Sequence, residues 1–444
     1  MNLIYGVKDK PSFGKLIVFA FQQLLAILAA TIAVPAIINA AGVGANMSQS
    51  AALFGAGVGT LVYQLFTKFK SPVFLGSSFA FISSMIAAFA GAASASAGYV
   101  GIMLGAVIAG LVYVIIAIIV KIAGVKWISV IMPAVVIGPT VAIIGLSLAG
   151  NAVGDLKVGK VATCSPYVAL VCGLVTLFTV ILCSVYGKKM AKLIPFIIGI
   201  FAGYAVASIF TVIGITTGND ALKVIDFSVF KNMSIFSVPD FTFLKIAEGV
   251  KQIDGAFIAT VAVAYAPVAF VVFAEHIADH KNLSSIIGSE LLEEPGLHRT
   301  LLGDGVGSMA GALFGGCPNT TYGESVGCVA ITGNASVVTI FTTAIMAIAI
   351  SFFDPFVTFL ASIPNCVMGG VCITLYGFIA VSGLKMLQKV DLGENRNLFT
   401  AAVILICGIG GLTLSFGKVQ ITSIACALIL GIIVNAILPK DKAE

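Results

Sequence analysis

Four carboxyl groups carry the most conspicuous chemistry in this chain. Glu275, Asp279, Asp304 and Glu324 lie in or at the ends of strongly apolar stretches, and no Lys or Arg lies in the apolar part of any such stretch. A carboxyl without a cationic partner in a low-dielectric site is readily protonated near neutral pH, which suits a proton carrier. Glu275 and Asp279 are spaced i,i+4 and share one helix face. All three histidines, His276, His280 and His298, follow Glu275 closely. His276 and His280 have a metal-compatible i,i+4 spacing, but no third ligand accompanies them. His280, beside Asp279, is a candidate proton relay, whereas His298, in Pro-Gly-Leu-His-Arg, reads as a helix cap. No nucleophile–base pair or metal set is present, so the sequence does not read as an enzyme and implies no cofactor beyond a coupled proton.

Glu324 belongs to Cys-Pro-Asn-Thr-Thr-Tyr-Gly-Glu-Ser-Val-Gly, residues 317–327. Pro318 and Asn319 break the preceding apolar run, Thr320, Thr321 and Tyr322 favour extended backbone, and Gly323 is conformationally free. Non-helical backbone at membrane depth persists only where protein or a watery cavity surrounds it. The order hydroxyl, hydroxyl, aromatic, small recurs at Ser77-Ser78-Phe79-Ala80, and Pro133–Gly138 and Pro364–Gly369 share Pro-x-x-Val-apolar-Gly. The two offsets, 243 and 231 residues, imply two seven-span halves, residues 1–217 and 255–444, the second inverted because seven is odd. Two short broken spans, the third and tenth, are then expected to meet near the bilayer midplane. Each presents an extended segment followed by a half-helix N-terminus with free N–H groups. Phe79 and Tyr322 are expected to face each other across the gap, with a flat aromatic ligand between or against them. Carboxyls and carbonyls accept hydrogen bonds and half-helix N–H groups donate them, so a neutral planar ring bearing both N–H and C=O groups matches the set. An inorganic anion is repelled by the ionised carboxyls, and a cationic amine leaves the N-termini unused.

The elements that must position these groups follow from composition. The chain has 444 residues, 59% of them hydrophobic and 10% charged, with mean hydropathy +1.12. Soluble proteins carry about 25% charged residues, so this is a polytopic all-α membrane protein, and about 20 apolar residues per span give fourteen candidate spans. The first apolar run, near Ile17 to Asn39, is too long for a typical signal core. Of the 24 basic residues, 17 fall in every second loop: Lys8, Lys10, Lys15, Lys68, Lys70, Lys121, Lys126, Lys188, Lys189, Lys192, Lys281, Arg299, Lys385, Lys389, Arg396, Lys440 and Lys442. That bias places both termini in the cytoplasm and the 218–254 loop outside. Because these charges lie in short loops between apolar spans, the net charge of +5 is no nucleic-acid signal. The nine cysteines show no metal or Cys-x-x-Cys spacing and read as small apolar residues. Residues 282–293 read as a separate amphipathic cytoplasmic helix, with Leu283, Ile286, Ile287, Leu291 and Leu292 on one side. Gly303, Gly307, Gly311 and Gly315 recur every fourth residue, a stripe for close helix packing.

Gly-Ser-Ser-Phe-Ala-Phe (76–81), Ala-Glu-His-Ile (274–277), Glu-Pro-Gly-Leu-His-Arg (294–299) and Pro-Asn-Thr-Thr-Tyr-Gly-Glu (318–324) resemble bacterial uracil permeases of the nucleobase–ascorbate transporter family. The resemblance covers the whole chain. It implies fourteen spans in two inverted repeats, with a core domain from residues 1–125 and 255–352 and a gate domain from residues 126–217 and 353–444. Residues 218–254 form an extracellular loop in that scheme. The implied activity is proton-coupled uracil uptake across the cytoplasmic membrane, often as a homodimer through the gate domain, with the core sliding against the gate. Carried over residue by residue, Glu275 is the principal substrate carboxylate and Glu324 the second. Gly323 and Tyr322 supply backbone contacts, Phe79 packs on the base, and Ala30 lines the pocket from the first span. Asp279, His280 and Asp304 join Glu275 as proton-coupling candidates. The chain departs from the family pattern at Gln22-Gln23, where many members have Gln-His, and at Asp279, where some have His. Ser325 stands where Asn is usual, and Gly333 follows Thr332 in place of Arg. Ser325 is the position at which selectivity is expected to be set. A xanthine or other purine symporter of the same fold, and an anion transporter of the related sulfate-permease type, are the competing expectations.

Overall fold

The computed structural model describes residues 3–124, 133–188, 190–231, 233–416 and 419–439. Lys126, Lys189, Lys440 and Lys442 of the basic series, and the boundary drawn between residues 125 and 126, touch or lie outside the described residues. Of the described residues, 74% are helical. In order it forms α1 (Phe13–Ala40), α2 (Gln49–Phe66), β1 (Leu75–Ser77), α3 (Ile82–Ala90), α4 (Ala95–Ala123) and α5 (Ala134–Asp155). There follow α6 (Pro166–Tyr186), α7 (Pro195–Thr217), α8 (Gly255–Ile287), α9 (Leu297–Gly315), β2 (Asn319–Thr321), α10 (Gly323–Thr332) and α11 (Val337–Ile350). The chain ends with α12 (Asp354–Ser362), α13 (Asn365–Leu387), α14 (Asn395–Ile409), a short hairpin (Leu414–Phe416 with Val419–Ile421) and α15 (Ser423–Ile437). Among the described residues, α1, α4, α5, α6, α7, α8 and α13 are each long and apolar enough to cross a membrane. Many large apolar side chains stay exposed along them, for example Ile118, Leu182 and Ile209, as lipid-facing helix surfaces require.

Both helix breaks anticipated from sequence are present, and they pair. β1 and β2 run antiparallel with Leu75 opposite Thr321, Gly76 opposite Thr320 and Ser77 opposite Asn319. Two three-residue strands cannot be stable alone, and their outer edges are closed by α2. The Thr60 hydroxyl accepts from the Leu75 N–H (2.9 Å) and reaches the Leu75 carbonyl (3.2 Å), while the Asn319 amide donates to the Gly55 carbonyl (2.9 Å). Gln64 donates to the carbonyls of Ser71 (2.9 Å) and Val73 (3.1 Å), holding the approach to β1. The free backbone groups that a broken span leaves in lipid are thereby satisfied within the protein.

The α9 glycine stripe packs where sequence placed it. Gly303 lies on Tyr63, Gly307 on Gly59, Gly311 on the Asn319 amide and Gly315 on Ala52, so that α9 and α2 meet backbone to backbone. A second close pair joins α5 and α13. Gly138, early in α5, abuts Gly383 late in α13, and Gly369, early in α13, abuts Ala152 late in α5. The two helices therefore run antiparallel, and each opens on a proline N-cap, Pro133 and Pro364.

The separate amphipathic helix read over 282–293 is not formed. Its first residues continue α8, which ends at Gly288 in a left-handed cap (φ 69°), and a turn carries the chain to α9. Leu283 and Leu291 are fully buried against Tyr63, Val73 and Val326, with Ile286 and Ile287 beside them. The apolar spacing reflects packing on the protein rather than on a lipid surface. At the turn Lys70 pairs with Glu294 (2.5 Å), which holds the Glu294 carboxyl below its usual range.

Candidate functional site

The strand pair aims two helix starts at one cavity of about 400 Å³. On one side the chain leaves β1 through Ser78, whose N–H donates to the Pro318 carbonyl (2.9 Å), and enters α3 through Phe79 and Ala80. On the other it leaves β2 through Tyr322 and enters α10 at Gly323 and Glu324. Gly76 makes this possible, because a Cβ there would overlap the Tyr322 ring. That ring is buried, and its hydroxyl donates to the Ser77 carbonyl at 2.7 Å. Gly323, Glu324 and Ser325 occupy the first turn of α10, where backbone N–H groups have no partner within the helix.

α8 brings Glu275, Ala278 and Asp279 to the same cavity. Three carboxyls thus share one space, and among the described residues no Lys, Arg or His lines it. The Thr321 hydroxyl donates to Asp279 Oδ2 (2.9 Å), tying β2 to α8. The opposite wall is Val141 and Ile144 of α5, Phe196 of α7, and Leu375, Phe378, Ile379, Ser382 and Met386 of α13. Chemically, the cavity offers carboxyl acceptors, helix-start N–H donors, and apolar and aromatic walls on two sides, the composition of a small-molecule site.

Of the sequence-derived site residues, Phe79, Glu275, Asp279, Tyr322, Gly323 and Glu324 line this cavity together. Phe79 does not face Tyr322: its ring packs edge-on against Tyr376 of α13 (centroids 6.2 Å apart, 76°), while Tyr322 turns into the strand pair. Ala30 lies in the packed interior of α1 (1% exposed), a helix that packs against β1 and α10, and it is not among the lining residues. Ser325 also points away. It is fully buried, and its Oγ accepts from Gln23 Nε2 (2.6 Å) and from the Phe74 N–H (3.2 Å), so it fastens α1, the entry to β1 and α10 together.

His280 and Asp304 lie behind the cavity wall, with His276. His276 Nε2 meets Thr300 Oγ1 (2.9 Å), and the Thr300 hydroxyl donates to the Leu297 carbonyl (3.1 Å). Nε2 must then carry a hydrogen, so the 2.7 Å contact from Nδ1 to Asp304 Oδ2 holds a single proton between the two groups. Asp304 Oδ1 has no hydrogen-bond partner among the described residues. The His280 ring stacks on His276 (4.0 Å), gives Nδ1–H to the His276 carbonyl (2.8 Å) and meets the Tyr63 hydroxyl at Nε2 (2.7 Å). Sequence reasoning missed the α13 wall and Tyr376. Extending the Pro364–Gly369 repeat along its helix face would have reached Leu375, Ile379 and Ser382.

A family model described as "Permease family" matches residues 14–416. The chain belongs to that family. This permease is 39% identical to a uracil permease of Bacillus caldolyticus, covering 98% of this chain and 95% of the relative. It is 32% identical to a uracil permease of Escherichia coli strain K12 over 96% of this chain and 92% of the relative. Among solved structures it resembles the transmembrane domain of the cyanobacterial bicarbonate transporter BicA (TM-score 0.58, 16% identity, 97% of this chain and 99% of that one). It also resembles murine Slc26a9, an anion transporter in the inward-facing state (TM-score 0.59, 12% identity, 97% of this chain and 68% of that one). At these identities the structural likeness concerns the fold alone. The family, together with the apolar helices, makes this permease a multi-pass membrane transporter.

Proposed function

We propose that this permease is a proton-coupled symporter that imports uracil. The observation that carries the reading is the convergence of Glu275, Glu324 and the open N-terminus of α10 on one cavity, beside Phe79. Uracil presents N–H and C=O groups along one planar edge. Glu275 and Glu324 accept from the N–H groups, Gly323 and its neighbours donate to a carbonyl, and Phe79 packs on the ring, with Tyr322 placing the backbone and Ala30 supporting it from behind. The names of the relatives point to the same substrate. Protonation of a cavity carboxyl couples the proton to the base, with Glu275 and Asp279 nearest the substrate and His280 and Asp304 behind them. No other cofactor enters the scheme.

In this reading fourteen spans form two inverted halves. The antiparallel α5–α13 pair and the β1–β2 pair are the contacts an inverted repeat supports. Spans 1–4 and 8–11 move as a core against a gate of spans 5–7 and 12–14, an elevator motion, and two copies associate through the gate. Both termini lie in the cytoplasm, with the cytoplasmic membrane as the site. A second reading, a xanthine or other purine symporter, is favoured by the volume of about 400 Å³, which accommodates a two-ring base. An anion is disfavoured by three carboxyls with no cation among the described lining residues.

The test is uptake of labelled uracil into vesicles, competed by xanthine, thymine and sulfate. Uptake should rise with an inward proton gradient and collapse with a protonophore. Uptake driven by sodium alone refutes proton coupling, and stronger competition by xanthine than by unlabelled uracil moves the substrate to the purines.

A further inference from the structure

A second cavity, of about 460 Å³, lies at the opposite end of α13. Asn365, Met368 and Cys372 of α13 line it, while Leu375, Ile379 and Ser382 line the carboxyl-bearing cavity. Spacings of three and four residues put all six on one helical stripe, so one face of α13 serves both cavities in succession. Between them the passage is closed by packing: Cys372, Leu375 and Tyr376 are each at most 3% exposed, and Tyr376 meets Phe79. The second cavity is polar. Asp155 at the end of α5, Lys160 in the following turn, and Asp240, carried by the 218–254 loop, also line it.

The side chains of Asp155, Lys160 and Asn365 make no hydrogen bond or ion pair among the described residues, although all three face one space. Asp240 is already engaged by Lys245, and Asn39 is spent on Met47. Among the described residues the unspent groups are therefore one carboxylate, one ammonium and the amides of Asn46, Gln49 and Asn365. An inorganic anion would be held by Lys160 but opposed by Asp155 and Asp240, and a simple cation meets the reverse problem. A neutral ring with adjacent N–H and C=O groups satisfies the acceptor and the donor together.

We infer that this cavity is an entry site in which a neutral nucleobase is held by Asp155, Lys160 and Asn365 before it passes along α13 to the carboxyl-bearing cavity. The inference rests on the proposed nucleobase transport and assigns a separate place to the first contact. Its test separates uptake from binding. Asp155→Asn and Lys160→Met should each raise the KM for uracil uptake about tenfold, the loss of one charge-assisted hydrogen bond. Each should leave the Kd of the solubilised protein within twofold of wild type, because that Kd reads the other cavity. In Asn365→Cys vesicles, a membrane-impermeant thiol reagent added outside should block uptake beyond its effect on the wild-type chain, and saturating uracil should slow the block several-fold. Unchanged KM in both charge variants, or thiol modification indifferent to uracil, overturns the entry site. Failure of the wild-type chain to take up any nucleobase refutes instead the transport reading on which it rests.

Discussion

Replacing Gly76 by alanine tests how the paired strands build the carboxyl-bearing cavity. The added methyl has no room, because the Tyr322 ring lies against Gly76 while its hydroxyl is bound to the Ser77 carbonyl at 2.7 Å. The ring must swing out, and Tyr322 is the N-cap of α10, so Gly323 and Glu324 move with it. Overpacking a closed site costs about 1–3 kcal/mol, and leaving the Tyr322 hydroxyl and Ser77 carbonyl unpartnered adds about 1–3 kcal/mol. The two terms share one movement and do not add fully. A net loss of about 2–4 kcal/mol corresponds to roughly 30- to 700-fold weaker uracil binding. Equilibrium binding of labelled uracil to purified protein is the assay, with thermal stability measured alongside. Tyr322→Phe, which removes only the hydroxyl, should cost no more than about tenfold. Gly76→Ala combined with Tyr322→Leu should bind better than the sum of the single losses allows, since the smaller side chain admits the methyl. Wild-type-like affinity in Gly76→Ala, or strict additivity in the double variant, would show that the Tyr322–Ser77 contact does not shape the site.

Three further outcomes follow from the same geometry. Glu275→Gln should weaken uracil binding by about 10- to 150-fold, the loss of a charge-assisted acceptor worth about 1.5–3 kcal/mol; wild-type affinity in a binding assay would remove Glu275 from the substrate site. His276→Leu strands Asp304 in a fully buried site and should cost about 3–5 kcal/mol of stability, while adding Asp304→Leu should recover a large part of that loss; additive losses in thermal unfolding of the two single variants and the double variant would mean that the pair is not coupled. Ser325→Ala removes the shared acceptor of Gln23 and the Phe74 N–H, and should lower thermal stability while leaving the preference for uracil over xanthine unchanged; a shifted preference would return Ser325 to selectivity.

What could be read from the sequence depended on chemical contrast. Thr320–Gly323 and Ser77–Ala80 stood out because hydroxyls, glycine and proline interrupt apolar surroundings, and both segments leave paired strands. Glu275, Asp279 and Glu324 stood out as charges in an apolar chain, and they converge on one cavity. The wall contributed by α13 had no such contrast. Leu375, Phe378 and Ile379 look like any lipid-facing residues, because in a membrane protein an apolar side chain is acceptable both toward lipid and toward a ligand. The errors have the same origin. Leu283, Ile286, Ile287 and Leu291 have the spacing of an interfacial helix, but that spacing also fits burial under Tyr63 and Val326. Ala30 carries no signal of its own, so only the packing of α1 against β1 and α10 places it away from the cavity.

Ser325 shows the remaining limit, which is direction. The residue directly after Glu324 is expected from sequence to meet the same ligand, but successive residues in a helix point about 100° apart. Glu324 faces the cavity, so Ser325 turns inward to Gln23 and Phe74. Ser325 therefore meets Gln23 of α1. The two side chains lie 2.6 Å apart and form one hydrogen bond. They are a matched pair holding the half-site to α1, and exchanging both partners should be tolerated better than exchanging either alone.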